Sequence, residues 1–374
     1  MDFDIRDLLT LTTIPGIGPN RLRALVSHFK DPARVADATT KQLVAVEGIE
    51  RKTALSIVNY FRDSGPALAK RDIETQLSRL NKVDGRVVTF WDAEYPTTLK
   101  KIYDPPPFLF IRGHFVETDP DSIAIVGTRS PSPYGRQMAE RFSSELARLG
   151  ISIVSGLARG IDTIAHGSAL KAGGRTVAII GSGIDVIYPP ENKPLFEKIV
   201  EHGCVASEFP MGAKPDAGNF PRRNRIISGM ALATLIVETG VDGGAMITAT
   251  TALDQNREIF AIPGAINDKR QSGTNLLIKE GKAILVESVD DILIELGPRL
   301  NRVLKDQPRV RKAPPAEMTL FERQLYETMG DDPLHIDLLA ERAKLSTSDA
   351  LVQLLSLEFK GLVRQMPGKF FVRL

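Results

Sequence analysis

Six short apolar runs constrain the fold of this chain more than any other feature of its sequence. They are separated by segments long enough for a helix, and several are followed directly by glycine. The runs are 123–126, 151–154, 177–180, 235–237, 258–262 and 283–286. Continuous apolar strands that alternate with helices are typical of a parallel sheet buried on both faces. We therefore predict an α/β fold with a Rossmann-like, doubly wound parallel sheet, whose ligands bind beyond the carboxyl ends of the strands.

The segments on either side of this sheet have a different pattern. Residues 1–75 contain two copies of a helix, a tight glycine turn and a second helix, which predict a helix-hairpin-helix or SAM-like domain. Residues 317–374 predict three helices and a short hairpin, the layout of a winged helix, with Ser346 as an N-cap. Between them we place the Rossmann-like domain with its N-terminal extension at 76–296. A basic linker that contains several prolines follows at 297–316.

The sequence leaves open whether these flanking domains contact DNA or protein. Turn amides of a helical hairpin lack partners within the helix and can bind phosphate. However, Glu47 and Glu50 beside the second turn would repel it. The winged-helix segment holds seven Lys/Arg and nine Asp/Glu, without the clustered cations that DNA binding requires. Protein contact is the favoured interpretation for both domains.

Composition excludes several kinds of chemistry. Cys204 is the only cysteine and the five histidines are scattered, so we predict no metal site. Neither a Walker pattern nor G-x-G-x-x-G occurs, so we predict no nucleotide cofactor. No signal peptide and no apolar run of roughly 18 residues is found, so we expect a cytoplasmic protein without a membrane partner. The net charge is only +2, but local basic clusters indicate a confined anionic ligand.

Three turns at predicted strand ends could bind phosphate through backbone amides. Each is built from small residues, and two of them carry an arginine whose guanidinium would add charge-assisted hydrogen bonds. The turns are Gly127-Thr128-Arg129, Ser155-Gly156 with Arg159, and Gly243-Gly244. The parallel sheet would bring such turns to the same edge.

The most specific motif is the segment 220–225, in which Phe220 and a proline precede Arg222, Arg223, Asn224 and a third arginine. Arginines within one helical turn cannot all face the same way. We therefore expect some of them to reach phosphate and others to pair inside the protein. Phe220 would offer a ring on which one base can stack, which is worth roughly 1–3 kcal/mol.

Together these motifs resemble the DNA-processing protein A family, DprA, also called Smf. The resemblance covers roughly residues 85–290 and includes motifs that keep their order along the chain. They are Tyr95-Pro96 with the triple-proline connector, Val126-Gly127-Thr128-Arg129, Ser155-Gly156-Leu157-Ala158-Arg159-Gly160-Ile161-Asp162 with Ala165-His166, Gly181-Ser182-Gly183 with Tyr188-Pro189, Ser207-Glu208, Phe220-Pro221-Arg222-Arg223-Asn224-Arg225-Ile226-Ile227 and Ile262-Pro263-Gly264.

This resemblance implies a protein that binds and protects incoming single-stranded DNA during natural transformation and helps to load the RecA recombinase. It also implies a homodimer formed through the Rossmann-like domain, and no hydrolase activity. The DNA contacts that it implies are Arg129, Lys214, Phe220, Arg222, Arg223 and Asn224, with turn amides near Gly127, Gly156 and Gly243. The segment 242–245 departs from the Ser-Gly-Ser that is more usual in the family, which puts side-chain contacts at that turn in doubt.

Two other functions remain open from sequence. One is a nucleotide-processing enzyme of the phosphoribohydrolase type, since Glu238 followed by Gly243 and Gly244 is similar to the glycine-rich turn of that family. Asp162 and His166, four residues apart, could form a catalytic dyad, although a structural hydrogen bond within the helix is expected. The other is a protein adaptor with a vestigial site.

Overall fold

The structure is a computed structural model that describes residues 3–63, 65–297, 299–300, 318–329, 334–360, 362–366 and 368–373. It divides into two compact units between residues 307 and 308. Most of the predicted linker at 297–316 lies outside the described residues. None of the helices in these ranges is both long and apolar enough to cross a membrane.

The predicted pair of helical hairpins is confirmed. The helices before the sheet are α1 (Ile5–Thr12), α2 (Pro19–Phe29), α3 (Thr40–Val44), α4 (Arg51–Arg62) and α5 (Gly65–Lys82). Arg21 joins the two hairpin turns, because its guanidinium donates to the Gly16 carbonyl at 2.8 Å and to the Gly48 carbonyl at 3.0 Å. The predicted domain boundary after residue 75 falls inside α5, which continues to the first strand of the sheet.

The predicted doubly wound sheet is also confirmed, and it has nine strands within the described residues. They are β1 (Arg86–Thr89), β2 (Phe108–Gly113), β3 (Ile123–Val126), β4 (Ile153–Ser155), β5 (Thr176–Ile179), β6 (Cys204–Ser207), β7 (Ala233–Ile236), β8 (Glu258–Ala261) and β9 (Ile284–Leu285). Their order is β1-β2-β6-β5-β4-β3-β7-β8-β9, and all neighbours are parallel except β1–β2 and β2–β6. Sequence reasoning missed β2 and β6, which pair with each other from distant parts of the chain.

Helices cover both faces of this sheet. They are α6 (Pro133–Arg148), α7 (Ile161–Lys171), α8 (Lys193–His202), α9 (Asn219–Met230), α10 (Gly244–Asp254), α11 (Ser272–Lys279) and α12 (Val289–Leu296). Helices α6, α7 and α12 bury apolar side chains against one face, and α9, α10 and α11 against the other. The chain leaves β3 toward β4, β5 and β6 and then returns to β7 on the other side. The strand order therefore reverses at β3, which places a crevice at the carboxyl ends of β3 and β7.

The second unit confirms the predicted winged helix. It contains α13 (Leu320–Thr328), β10 (Leu334–His335), α14 (Ile336–Arg342), α15 (Thr347–Phe359), β11 (Val363–Met366) and β12 (Phe370–Arg373). Ser346 is the N-cap of α15, as predicted, and its hydroxyl accepts from the Asp349 amide at 3.1 Å. The short strand β10, which sequence reasoning did not identify, pairs with β12.

A buried carboxylate holds two helices of this winged helix together. Glu322 near the start of α13 accepts from Lys360 at 2.8 Å, from Ser356 at 2.6 Å and from the Thr319 amide at 2.7 Å. Burial raises the pKa of Glu322, but the hydrogen bonds from Lys360, Ser356 and Thr319 outweigh it and lower the pKa to about 2.

We expect the winged helix to lose stability as the pH falls from about 4.5, the ordinary pKa of a glutamate, through about 2. The depressed pKa means that the unfolded chain binds the proton first, so the stabilisation is complete above pH 4.5. Glu322→Gln should lower the free energy of unfolding at pH 7 by about 1–2 kcal/mol and flatten this acid dependence. Hydrogen exchange of peptides from 318–373 in the full chain measures both effects. An unchanged acid profile in the variant would contradict this assignment.

Candidate functional site

A pocket of about 520 Å³ lies at the carboxyl ends of β3 and β7, at the edge of the sheet where the sequence predicts ligand binding. Its walls come from the turn after β3 at 127–129, the start of α9 at 220–221 and 223–224, and the start of α10 at 243–245. A narrower cleft adjoins it and is lined by Gly181, Tyr188 and Pro215. Phe220 and Arg129 line both cavities.

Arg223 forms the floor of this site and not its binding surface. Its side chain is buried, with the residue only 4% exposed, and Nη1 donates to the carbonyls of Gly156 and Ile179 at 2.5 Å each. Burial lowers the pKa of Arg223 to about 10, and the charge of Asp162 opposes this effect, so the guanidinium stays protonated at neutral pH. Arg223 therefore ties α9 to the ends of β4 and β5. This corrects its predicted role as a direct DNA contact.

The turn after β4 is also committed to internal contacts. The Gly156 and Ala158 amides donate to the Asp162 carboxylate at 3.2 and 3.3 Å, and the Ser155 hydroxyl donates to the Ile125 carbonyl at 2.6 Å. A Cβ on Gly156 would collide with the Arg223 guanidinium and the Asp162 carboxylate, so only glycine fits there. The predicted phosphate contacts of Ser155 and of the Gly156 amide are therefore corrected to structural roles.

Asp162 and His166 do not form the expected hydrogen bond within the helix. The Nδ1 atom of His166 lies 2.6 Å from the Thr176 hydroxyl, while Asp162 holds the turn amides. Burial lowers the pKa of His166 to about 3, and the charge of Arg223 adds to the effect, so the ring is neutral. Burial raises the pKa of Asp162, against the opposing effect of Arg223. Each residue thus has its own structural partner.

The turn after β3 is already occupied by a carboxylate from the chain itself. The Thr128 amide donates to the Glu238 carbonyl and the Ser132 amide to the Glu238 carboxylate, both at 2.8 Å. The Ser132 hydroxyl then caps α6 by accepting from the Gly135 amide at 3.0 Å. Rossmann folds bind phosphate at the start of this helix. Here the Glu238 carboxylate accepts from the Ser132 amide, and the Glu238 main-chain carbonyl accepts from the Thr128 amide. Gly127 and Thr128 still line the pocket, so their predicted contact with phosphate stays a prediction that does not include the Thr128 amide.

Three exposed cations of this edge remain available for a ligand. Arg129, Lys214 and Arg222 have no carboxylate within 4.0 Å in the described part of the chain. The Arg129 guanidinium lies 4.9 Å from the centroid of the half-buried Phe220 ring. This cation–π contact keeps the guanidinium beside the ring.

Unlike Arg129, Lys214 and Arg222, Arg159 forms an ion pair with a carboxylate of the chain. Its guanidinium donates to both carboxylate oxygens of Glu191, at 2.6 and 3.2 Å, on the surface. Such an exposed pair contributes little to stability because water screens it, and Arg159 lines the narrower cleft. Its predicted phosphate contact therefore stays a prediction, in which the DNA would compete with Glu191.

The start of α10 supplies the uncharged part of the site. Gly243 and Gly244 line the pocket, and the space beside Gly244 is open. The buried Asn224 lines the opposite wall. Sequence reasoning missed Lys269, an exposed cation whose backbone lies against Gly240 on the pocket wall. No motif surrounds it, and only the packing of the turn after β8 brings it to this rim.

Comparisons with known proteins agree with this architecture. The family model of DNA recombination-mediator protein A matches residues 86–297, a DprA winged-helix model matches 309–369, and a SAM-like helix-hairpin-helix tandem matches 8–63. Protein Smf from Synechocystis sp. is 32% identical over 98% of both chains.

Two solved structures are also similar. DprA from Streptococcus pneumoniae is 30% identical, with a TM-score of 0.66 over 79% of this chain and 99% of that one. DNA processing protein A from Helicobacter pylori is 29% identical, with a TM-score of 0.52 over 57% of this chain and 97% of that one. That protein is described as having a unique single-stranded DNA binding mode.

Substitutions of the two neighbouring arginines should differ greatly in how much they lower the free energy of unfolding. Arg223→Ala leaves the Asp162 carboxylate and two carbonyls without their buried partner, so we expect the free energy of unfolding to fall by about 3–5 kcal/mol. Arg222→Ala removes only an exposed side chain and should change it by less than about 0.5 kcal/mol. Urea denaturation followed by circular dichroism compares the two variants. Equal stability of both would show that Arg223 does not hold the site together.

Proposed function

Since this chain belongs to the family of DNA recombination-mediator protein A, DprA/Smf, we propose that the edge around its pocket binds single-stranded DNA. One observation carries the proposal. Phe220 lines both cavities and lies 4.9 Å from the guanidinium of the exposed Arg129, which has no carboxylate within 4.0 Å among the described residues. Arg222, on the same helix, is also exposed, and its guanidinium lies 5.3 Å from the Phe209 ring. Flexible single strands need this combination of a stacking surface and a cationic path.

In this proposal, Arg129, Lys214 and Arg222 neutralise consecutive phosphates while a base stacks on Phe220. The Arg129 guanidinium, which lies beside the ring, would donate to two phosphate oxygens. The Gly244 amide at the start of α10 adds a donor that lacks a partner within the helix, whereas the Gly243 amide donates to the Gly240 carbonyl at 3.0 Å. Duplex DNA would bind less well, because its bases are already stacked and cannot reach the ring.

The titratable groups of the pocket support binding over hydrolysis. Asp162 is the one acidic residue among the described pocket-lining residues, and it is held by two amides beside Arg223. His166 is buried, neutral and bonded to Thr176. Neither group is placed as a general base toward the open pocket, so we propose no enzymatic activity.

Fluorescence anisotropy with a labelled oligonucleotide of about 30 nucleotides tests the site. Phe220→Ala should weaken single-strand binding by about 5- to 150-fold, because stacking on an aromatic ring is worth roughly 1–3 kcal/mol. Arg222→Ala should reduce the slope of log affinity against log salt by about 0.7, since one phosphate contact is lost.

Lys171→Ala is the matched control for this measurement. Lys171 is also an exposed cation, but it lies at the end of α7, away from the carboxyl edge of the sheet. Its removal should leave affinity and salt slope nearly unchanged. Equal losses for Lys171 and Arg222 would mean that binding is diffuse and that this site is not the one used.

We also propose that the protein works as a homodimer through the Rossmann-like domain. The edge strand β9 and the neighbouring helix α12 expose Ile284, Leu285 and Ile294, the last of which is 57% exposed. Covering these side chains with a second copy would remove an apolar edge from water. Two binding edges on one strand would then raise the avidity for long single strands.

The finer biological role that we propose is protection of incoming DNA in natural transformation and loading of RecA in the cytoplasm. The wild-type protein should shorten the lag before RecA hydrolyses ATP on single strands coated with single-strand-binding protein. Phe220→Ala and Arg222→Ala should lose this effect, because both weaken the binding of single-stranded DNA that precedes the loading of RecA. Acceleration by a variant that no longer binds DNA would place the activity elsewhere in the protein.

A further inference from the structure

The loop before α9 is held by α5, the helix that leads from the helical hairpins to the sheet. Gln76 on α5 makes both possible amide contacts with the backbone of one loop residue, Met211. Its Oε1 accepts from the Met211 amide at 2.6 Å, and its Nε2 donates to the Met211 carbonyl at 3.3 Å. A side-chain amide that satisfies both backbone groups of one residue fixes the path of the chain there.

A second contact from α5 fixes the next residue. Arg79 donates to the Asp185 carboxylate at 2.9 Å, and the other carboxylate oxygen of Asp185 accepts from the Gly212 amide at 2.7 Å. Gly212 has a φ of +79°, and the Arg79 guanidinium fills the space that a Cβ would take there. A glycine is required at this position for both reasons. We call the contacts of Gln76 with Met211 and of Arg79 with Asp185 the clamp, and Gln76→Ala/Arg79→Ala the clamp variant.

The residues that follow Gly212 form part of the proposed binding edge. Lys214 is exposed, Pro215 lines the cleft, and Ala217 lines the pocket just before Phe220. Lys214 is two residues beyond Gly212, and successive Cα atoms are about 3.8 Å apart. A change in the position of Gly212 therefore moves Lys214 and the pocket wall with it.

Gln76 and Arg79 are not needed to hold α5 in place. The helix packs through the buried side chains of Ala69, Ile73 and Leu80. Gln76 is half-buried and Arg79 is exposed, and their partners lie in the loops at 211 and 185. Their contacts thus act on the loop more than on the core.

We propose that Gln76 and Arg79 are positioning residues through which α5, the helix between the helical hairpins and the sheet, sets the affinity of the α/β domain for single-stranded DNA. The inference rests on the proposed function, because it assigns these residues a role in that same binding site. Coupling between sites is reciprocal, so DNA binding should in turn tighten the docking of α5.

A double-mutant cycle in the full chain tests this inference. Gln76→Ala/Arg79→Ala should weaken single-strand binding about fivefold or more, although neither residue is at the pocket. Adding Lys214→Ala should then cost much less than it does in the wild type, because the cation is already displaced. The salt slope of the clamp variant should fall by about 0.7, as it does when Lys214 itself is removed.

Arg71→Ala is the matched control, since Arg71 is an exposed cation on the same helix. It should leave both affinity and slope unchanged. Hydrogen exchange gives a second readout, in which the amides of 212–218 exchange faster in the clamp variant while those of β3 keep their protection. If the double variant is too unstable, Gln76→Glu keeps the acceptor for the Met211 amide but loses the donor to its carbonyl. It should then show the same changes in smaller size.

The outcomes separate this inference from the proposed function. If Lys214→Ala and Arg222→Ala leave the affinity unchanged, the binding edge itself is wrong. If these variants weaken binding but the clamp variants do not, or if the losses simply multiply with that of Lys214, the positioning role is wrong and the binding edge stands. An unchanged exchange rate at 212–218 would overturn the positioning role as well.

Discussion

The buried guanidinium of Arg223 is the contact on which the rest of the binding edge depends. It lies under the pocket and donates to the carbonyls of Gly156 and Ile179 at the ends of two parallel strands. Its charge compensates the nearby Asp162 carboxylate, which in turn orients the turn after β4. A buried charge is tolerated only with such partners. The start of α9, and with it Phe220, is thereby fixed to the sheet.

The same helical turn divides its arginines between structure and surface. Successive residues of a helix point about 100° apart, so Arg222 faces solvent while Arg223 faces the sheet. Arg225 turns to a third direction and pairs with Glu208 at 2.5 Å and Asp104 at 3.0 Å. One short motif thus supplies a buried arginine that holds the helix to the sheet and an exposed arginine. Loss of Arg223 should lower the stability, whereas loss of Arg222 should change only the charge of the surface.

A second internal charge explains where an anion can bind. Glu238 fills the start of α6, the position at which this fold usually holds a phosphate of a nucleotide. The uncompensated cations lie instead along the rim at Arg129, Lys214 and Arg222. A continuous strand of phosphates could pass across an open rim. A closed nucleotide pocket would instead hold only one end of such a strand.

The sequence by itself determined most strands of the sheet, the helical hairpins and the helices of the winged helix, because their periodicity and turn residues are local signals. It did not reveal β2 and β6, which pair with each other from distant parts of the chain. It also indicated that the arginines of 220–225 would divide, but not which one would be buried. The roles of Arg223, Gly156 and Asp162, and the occupation of the first helix start by Glu238, were decided only by the tertiary structure. The physical reason is distance along the chain. Arg223 meets Gly156 across 67 residues and Glu238 meets Ser132 across 106, and no local pattern encodes such partners.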